Sequence, residues 1–258
     1  MLVTRAEHPV FAPPTDPDTP IWRYFDLPKF ISLLDSKGLY FCRADLLGDP
    51  LEGSFTRARE VQRQRLLREP PPGWSREELE RSLNNRAAFF ADMRSCTYVN
   101  CWHLGDHESM AMWNGYGGGP YGIPVRSRVG LLDRLLPDKY GPAPTDHVFI
   151  RHVSYIDYSS ELEHLPDEHH AYAPFVCKSV AYAHESELRA VFSDMSLYRT
   201  SECPVGRLLP VDLQCLIERV TVSPLAPSWF DVVVRTICER FGFSVPLNRS
   251  IVCGTPIY

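Results

Sequence analysis

The sequence predicts an α+β protein: a mixed or antiparallel β core with flanking helices and a helical insertion over residues 56–94. Three observations lead there. Short runs rich in aromatic and β-branched residues, such as Leu39–Cys42, Thr97–Trp102 and Val220–Val222, read as strands. Segments of helical spacing lie between them without the strict alternation of a parallel α/β sheet. An arginine-rich helical segment at 56–69 and a second one with capping-box spacing at 75–94 stand together. No internal repeat is visible. One domain over 21–258 follows an extended arm at 1–20 that carries five prolines.

Taken in order, Asp26 caps a first helix with Pro28 in its opening turn, and Phe30, Ile31, Leu33 and Leu34 form its apolar stripe. Gly38 is expected to stop it. Leu39–Cys42 is a strand ending at Arg43, followed by a turn through Gly48, Asp49 and Pro50. Thr56–Glu69 is a helix closed by Pro70, Pro71, Pro72 and Gly73, and Ser75 with Glu78 has capping-box spacing for the next. In that second helix Leu79, Leu83, Ala87 and Phe90 repeat at helical spacing. Thr97–Trp102 is a strand, Ser109–Tyr116 a short helix, Tyr121–Val125 a strand, Leu131–Leu136 a helix and Val148–Tyr155 a strand. Val211–Ile217 is a short helix, Val220–Val222 a strand, and Ser228–Phe241 a helix with Gly242 just past its end. Phe243–Val245 and Ser250–Val252 are expected as edge strands.

A chain of 258 residues buries a full core without disulfides or metals. Its net charge of −5 argues against a globally basic, nucleic-acid-coating surface, although a local basic groove is compatible with it. No segment reaches membrane-spanning length, and the start of the chain has no signal-peptide run. The eight cysteines lack framework spacing, which predicts reduced thiols and a cytoplasmic location.

The densest chemistry lies in Tyr98–Tyr116, where Trp102, His103, Ser109, Trp113 and Tyr116 stand close together. Aromatic rings with this many polar tips suit a ligand wall that stacks a ring and bonds its edges. The plain alternative is core packing. Cys96, Cys101, His103 and His107 do not fit a closed zinc site, because alternation along a strand turns Cys96 away from Cys101 and His103. His164, His169 and His170 read as ordinary loop histidines. The segment Val180–Phe192 admits two readings. As a helix, Glu185 and Arg189 are a surface pair four apart. As a strand, Glu185, Glu187 and Arg189 line one face as a charged row. Arg43 at a strand end can pair with Glu52 or clamp a phosphate. Arg57, Arg59, Arg63, Arg65 and Arg68 make either a solvated face or a contact for nucleic acid or an acidic partner. Gly117–Gly119 is a turn and not a phosphate loop, since no Lys and Ser/Thr follow.

The succession IWRYFDLPKFISLL, GLYFCRADLLGDPLEGS, NCWHLGDHESMAMWNGY and FVCKSVAYAHESELRAVF resembles the bacterial family known as domain of unknown function 2971. That resemblance implies no fixed activity. It does suggest a link to abortive infection and phage defence, with a phage protein or an antitoxin as a partner. A more distant similarity is to ADP-ribosyltransferases, which open with a strand bearing an Arg or His and end with a Glu-x-Glu pair on a late strand. It implies that Arg23 orients the pyrophosphate or ribose of NAD, that Trp113 or Tyr116 stacks the nicotinamide, and that Glu187 stabilises the cationic ribose. Glu185 would aid a protein or nucleic-acid acceptor. The sequence departs from that pattern in having no clear Ser-Thr-Ser strand, for which Tyr121–Val125 is a poor substitute.

The expected function is therefore an NAD-using ADP-ribosyltransferase or NAD glycohydrolase, a toxin-like defence effector that takes NAD as substrate and needs no metal. Arg23, Glu185 and Glu187 form its catalytic set. Arg43, Trp102, His103, Ser109, Trp113, Tyr116 and Arg189 bind the ligand. The alternatives are a nuclease holding Mg²⁺ on Asp49, Glu52, Glu185 and Glu187, and a non-catalytic sensor of a phage protein or nucleotide.

Overall fold

Strand β3 (Thr97–Leu104) organises the molecule, because both of its edges are used and one of them is shared. In the computed structural model, which describes residues 16–141, 147–166 and 170–253, β8 (Glu187–Ser193) lies along one whole edge of β3, from Thr97↔Ser193 to His103↔Glu187. The other edge takes two neighbours in succession. β2 (Gly38–Arg43) pairs with Tyr98 and Val99, and β1 (Pro20–Arg23) with His103 and Leu104. Between Val99 and His103 the two neighbours diverge and the sheet forks.

Beyond the fork, β1 continues to β4 (Val125–Arg128), β10 (Arg219–Val222) and β11 (Leu247–Arg249), and β2 continues to β9 (Gly206–Pro210). β5 (Phe149–His152) covers the far edge of β8. Among the described residues these nine strands pair antiparallel except β10 with β11. A separate parallel pair joins β6 (Ser154–Ile156) to β7 (Cys177–Ser179). The fold is α+β with a mostly antiparallel sheet, as the intermixed pattern predicted.

The main core lies on one face, where Phe30, Leu33 and Leu34 of α1 (Leu27–Ser36) pack with Val129 and Leu132 of α5 (Val129–Leu135). Leu213 and Leu216 of α6 (Leu213–Leu216) and Phe230 and Val234 of α7 (Phe230–Arg240) complete it. The opposite face carries a smaller cluster of Met93, Cys96, Val99, Phe149, Phe175 and Val191. Strand alternation assigns the residues: Leu188, Ala190 and Phe192 of β8 enter the main core, and Glu187, Arg189 and Val191 face the other way.

The two helices of the expected insertion form as α2 (Arg57–Arg68) and α3 (Arg76–Cys96). Ser75 and Glu78 make the reciprocal capping box. Asp26 caps α1 through Lys29 N at 2.8 Å. Several boundaries differ from the sequence reading. α1 ends at Lys37, left-handed at φ 49°, and Gly38 opens β2 instead of stopping the helix. Gly38 is needed there because a Cβ would stand 2.6 Å from the Leu209 carbonyl oxygen of β9. Residues 119–121 form a 3₁₀ turn, and the strand expected at Tyr121–Val125 begins only at Val125. The single strand expected at Val148–Tyr155 is two, β5 and β6, in different sheets. The chain closes on β11 in place of strands at 243–245 and 250–252, with Pro246 O accepting from Val220 N at 2.9 Å. Val180–Glu185 is a 3₁₀ turn and Glu187–Ser193 a strand. Glu185 and Arg189 are both buried, so the surface helical pair does not form. Of the expected charged row, Glu187 and Arg189 lie on the strand while Glu185 stands just before it. Most of the expected arm and His169 lie outside the described residues. Among the described residues no helix is long and apolar enough to cross a membrane.

Candidate active site

The fork in the sheet opens into a cavity of about 380 Å³. Its floor is the polar face of β3 and β8, where register sets Cys101 opposite Arg189 and His103 opposite Glu187. β1 ends there at Arg23, β2 contributes Tyr40 and Cys42, and the turn after β2 brings in Asp49 and Glu52. Lys178 enters from β7, and Glu185 closes the 3₁₀ turn before β8. Tyr116 reaches in from the end of α4 (Met110–Tyr116).

Asn100, on β3 at the fork, is fully buried and ties β3 to β2. Its amide nitrogen donates to Tyr40 O at 2.9 Å, and its amide oxygen accepts from Trp102 Nε1 at 2.7 Å. Arg23 Nη2 donates to the same Tyr40 carbonyl at 3.2 Å. Arg23 also lies beside Phe25 and Trp102, 5.2 and 6.0 Å from their ring centroids. Its Nη1 is buried without a hydrogen-bond partner. Burial pulls this guanidinium down to about 10, which leaves it charged at neutral pH.

Across the cavity lies a buried charge cluster. Arg189 clasps Glu187 in a bidentate pair, Nε to Oε1 at 2.7 Å and Nη2 to Oε2 at 2.9 Å. Its Nη1 donates to Phe175 O at 2.8 Å and pairs with Glu52 Oε2 at 2.9 Å. Lys178 Nζ stands 2.6 Å from Glu185 Oε2, 3.2 Å from Glu52 Oε1 and 3.6 Å from Glu187 Oε2. The second oxygen of Glu185 accepts from Tyr116 OH at 2.6 Å. Three carboxylates thus surround two cations, and the directions of titration follow. Burial opposes ionisation of Glu187, but Arg189 and then Lys178 outweigh it and hold the carboxyl below its ordinary value. Burial likewise works against the Lys178 ammonium, yet Glu187, Glu52 and Glu185 hold its pKa above the usual lysine value. Burial and the bond to Glu185 raise the Tyr116 phenol, and burial with the nearby Glu187 charge raises the Cys101 thiol. Cys101 is therefore a thiol and not a nucleophilic thiolate.

His103 Nδ1 donates to the backbone carbonyl of Glu185 at 2.5 Å. A carbonyl only accepts, so the geometry assigns the proton to Nδ1 and holds the chain entering β8. Ser186, left-handed at φ 41°, makes the turn between the two glutamates and accepts from Leu104 N at 2.8 Å.

Of the ten residues singled out by sequence, the structure gathers Arg23, Trp102, His103, Tyr116, Glu185, Glu187 and Arg189 around this cavity. It does not bring in the other three. Arg43 is bound to Asp45 at 2.6 Å and to Cys203 O at 2.5 Å, because the end of β2 is tied down onto the loop before β9. Ser109 is the N-cap of α4, and its backbone N–H donates to Tyr24 OH at 2.9 Å. Trp113 packs behind Tyr24, edge to face at 5.5 Å, with its ring nitrogen on Glu108 at 3.0 Å. Core packing, the plain reading of that ring, is what the fold uses it for. Lys178 and Tyr182 were missed. The signal for Lys178 was one of only four lysines in the chain sitting inside the apolar run Phe175–Val180. Asp49 and Glu52 join Glu185 and Glu187 as the nuclease alternative required, but Lys178 and Arg189 occupy the positions between them. Among the described residues no group of three or more His, Cys, Asp or Glu is arranged to hold a metal ion.

A scan of protein-family models finds no match, so the resemblance to domain of unknown function 2971 stands on the quoted motifs alone. A search of curated proteins finds no relative either. Among solved structures the chain is similar to DarT of Thermus sp. 2.9 in complex with carba-NAD+, at 12% identity and a TM-score of 0.36, over 91% of this chain and 96% of that one. It is similar also to the same protein with NAD+, at 12% identity and a TM-score of 0.39, over 91% and 96%. With ADP-ribosylated ssDNA the TM-score is 0.37 at 12% identity, over 90% and 93%. So loose a superposition assigns no chemistry to this chain, whose site is read from its own geometry.

Proposed function

We propose that this protein binds NAD in the forked sheet and cleaves its nicotinamide–ribose bond, passing ADP-ribose to water or to a macromolecular acceptor. One observation carries the reading: two cavities meet at Arg23. The first is the charged cavity described above. The second, about 280 Å³, is lined by Phe25, Lys29, Ser32 and Ser36 and shares Arg23 and Tyr40 with it. A dinucleotide is two ring-bearing halves joined by a diphosphate. Arg23 lines both cavities and its buried Nη1 lacks a hydrogen-bond partner, so it supplies a cation where that diphosphate would lie.

On this reading the nicotinamide half enters the charged cavity, between Tyr40 and Tyr116. The C–N bond breaks with its electron pair leaving on the nicotinamide nitrogen, and the ribose carbon becomes oxocarbenium-like. Glu187, kept ionised by Arg189 and Lys178, is a fixed negative charge for that centre and needs no reorganisation. Glu185 takes the proton of the attacking water or acceptor, with Tyr116 and Lys178 fixing its two oxygens. Arg189, His103 and Asn100 are positioning residues. The products are nicotinamide, ADP-ribose on its acceptor and one proton. A defence or toxin role, and a phage protein or antitoxin as partner, belong to the same proposal and rest on the motif resemblance.

The test is nicotinamide release from NAD by purified protein, with and without cell lysate as acceptor source, alongside Glu185→Gln, Glu187→Gln and Arg23→Ala. Release by the wild type, lost in both glutamine variants while calorimetric NAD binding persists, supports the assignment. Folded protein that neither binds NAD nor releases nicotinamide overturns it.

A further inference from the structure

A second large cavity, about 480 Å³, lies away from the forked sheet, between α2 and α3. Its floor is apolar, made of Phe55, Leu66, Leu83 and Ala87, and its rim carries Arg59, Arg63 and Arg86 with Glu60 as the one acid. The rim is part of a wider imbalance. Between Arg57 and Arg94 nine arginines face six carboxylates, in a chain whose net charge is −5. α2 buries only Ala58 and Leu67, so most of its surface is left for solvent or a partner. Arg63 donates Nη2 to Asn84 Oδ1 at 2.7 Å and pairs through Nη1 with Glu60 at 3.7 Å, while its Nε is buried with no hydrogen-bond partner.

Apolar floor, cationic rim and helical walls together describe a slot for a third helix. α2 has twelve residues, so an occupant of about three turns would span it. Nucleic acid fits less well. Single strands need open aromatic faces for their bases, and Phe55 is already covered, by Arg59 at 5.0 Å and by the edge contact with Phe90 at 4.7 Å. We infer that the α2–α3 groove docks an acidic, amphipathic helical segment of a protein partner, its apolar stripe on Leu66, Leu83 and Ala87 and its carboxylates on the arginine rim. Thr56 lines this groove and Glu52 lines the forked-sheet cavity, so the docked segment would abut the turn that feeds the active site.

The inference is independent of the NAD reading and is tested by binding alone. The probe is a fluorescent helical peptide with Leu at i, i+3, i+4 and i+7 and Glu on its other face. The controls are a scrambled isomer of equal charge and a single-stranded oligo-dT. The peptide should bind at least about tenfold tighter than its isomer, and Arg63→Glu or Arg86→Glu should each weaken it by about tenfold or more. Unchanged circular dichroism would show that those variants fold, and Leu83→Gln should weaken the peptide without altering charge. Equal binding of the isomer, or no binding, overturns the inference. Tighter, steeply salt-dependent binding of oligo-dT overturns it too and assigns the groove to nucleic acid.

Discussion

Glu187 and Arg189 stand two residues apart on one face of β8 and hold each other through two hydrogen bonds, at 2.7 and 2.9 Å. Each is almost completely buried, so neither has water to fall back on. Replacing Arg189 by Leu strands Glu187 as a buried carboxylate. The expected loss is on the order of 3–5 kcal/mol in chemical denaturation. A loss under about 1 kcal/mol would mean that Lys178 alone satisfies the cluster.

The same cluster sets a pH window. Glu187 is lowered from an ordinary 4.5, so its contribution is present above that value and is lost as pH falls through the depressed folded value. Lys178 is raised from an ordinary 10.5, so its contribution is present below that value and is lost as pH climbs through the raised one. Stability should therefore plateau between the two and fall at both ends. In Glu187→Gln the acid limb of a stability–pH profile should flatten, and an unchanged limb would assign it to other carboxylates.

Asn100→Ala removes the tie from β3 to the Tyr40 carbonyl and leaves Trp102 Nε1 without its acceptor. Burying that orphan should cost about 1–3 kcal/mol by calorimetry. NAD binding should weaken along with stability, because Asn100 and Arg23 share the Tyr40 carbonyl.

Arg23→Ala should weaken NAD binding by about tenfold or more, the worth of one charge-assisted contact. Arg23→Lys should recover little, since an ammonium cannot donate to Tyr40 O and present a second donor to the ligand in one plane. Calorimetric titration decides it, and wild-type affinity in both variants would move the diphosphate elsewhere.

Tyr116→Phe keeps the ring and deletes the hydroxyl that holds Glu185. Tyr116 is 46% exposed, so stability should move by less than about 1 kcal/mol. Turnover should fall further than NAD affinity, because the hydroxyl fixes a proton acceptor and not the bound dinucleotide. An equal fall in both would make Tyr116 a simple binding contact.

Local rules were enough for the helices with caps and for the strands near Leu39–Cys42, Thr97–Trp102 and Val220–Val222. Asp26 before Pro28, Ser75 before Glu78, and the stripe of Phe30, Leu33 and Leu34 each encode their element within one or two turns. On the strand reading of Val180–Phe192, one of the two left open, alternation also put Glu187 and Arg189 on one face, and the crowding of aromatic and polar groups near Tyr116 marked the region of the cavity. Tertiary structure decided the rest, because those choices depend on which edge meets which. Trp113 and Tyr116 share a short helix, yet only Tyr116 reaches the cavity; Trp113 finds Tyr24, which lies on a different element. Lys178 and Glu52 stand far apart in the chain and carry no local motif, and they converge on β8 only through β7 and the turn after β2. The fork has no local signature at all. It exists because β3 gives one edge to two strands in succession, a non-local pairing that leaves a gap lined by Arg23 and by the carboxylates alike.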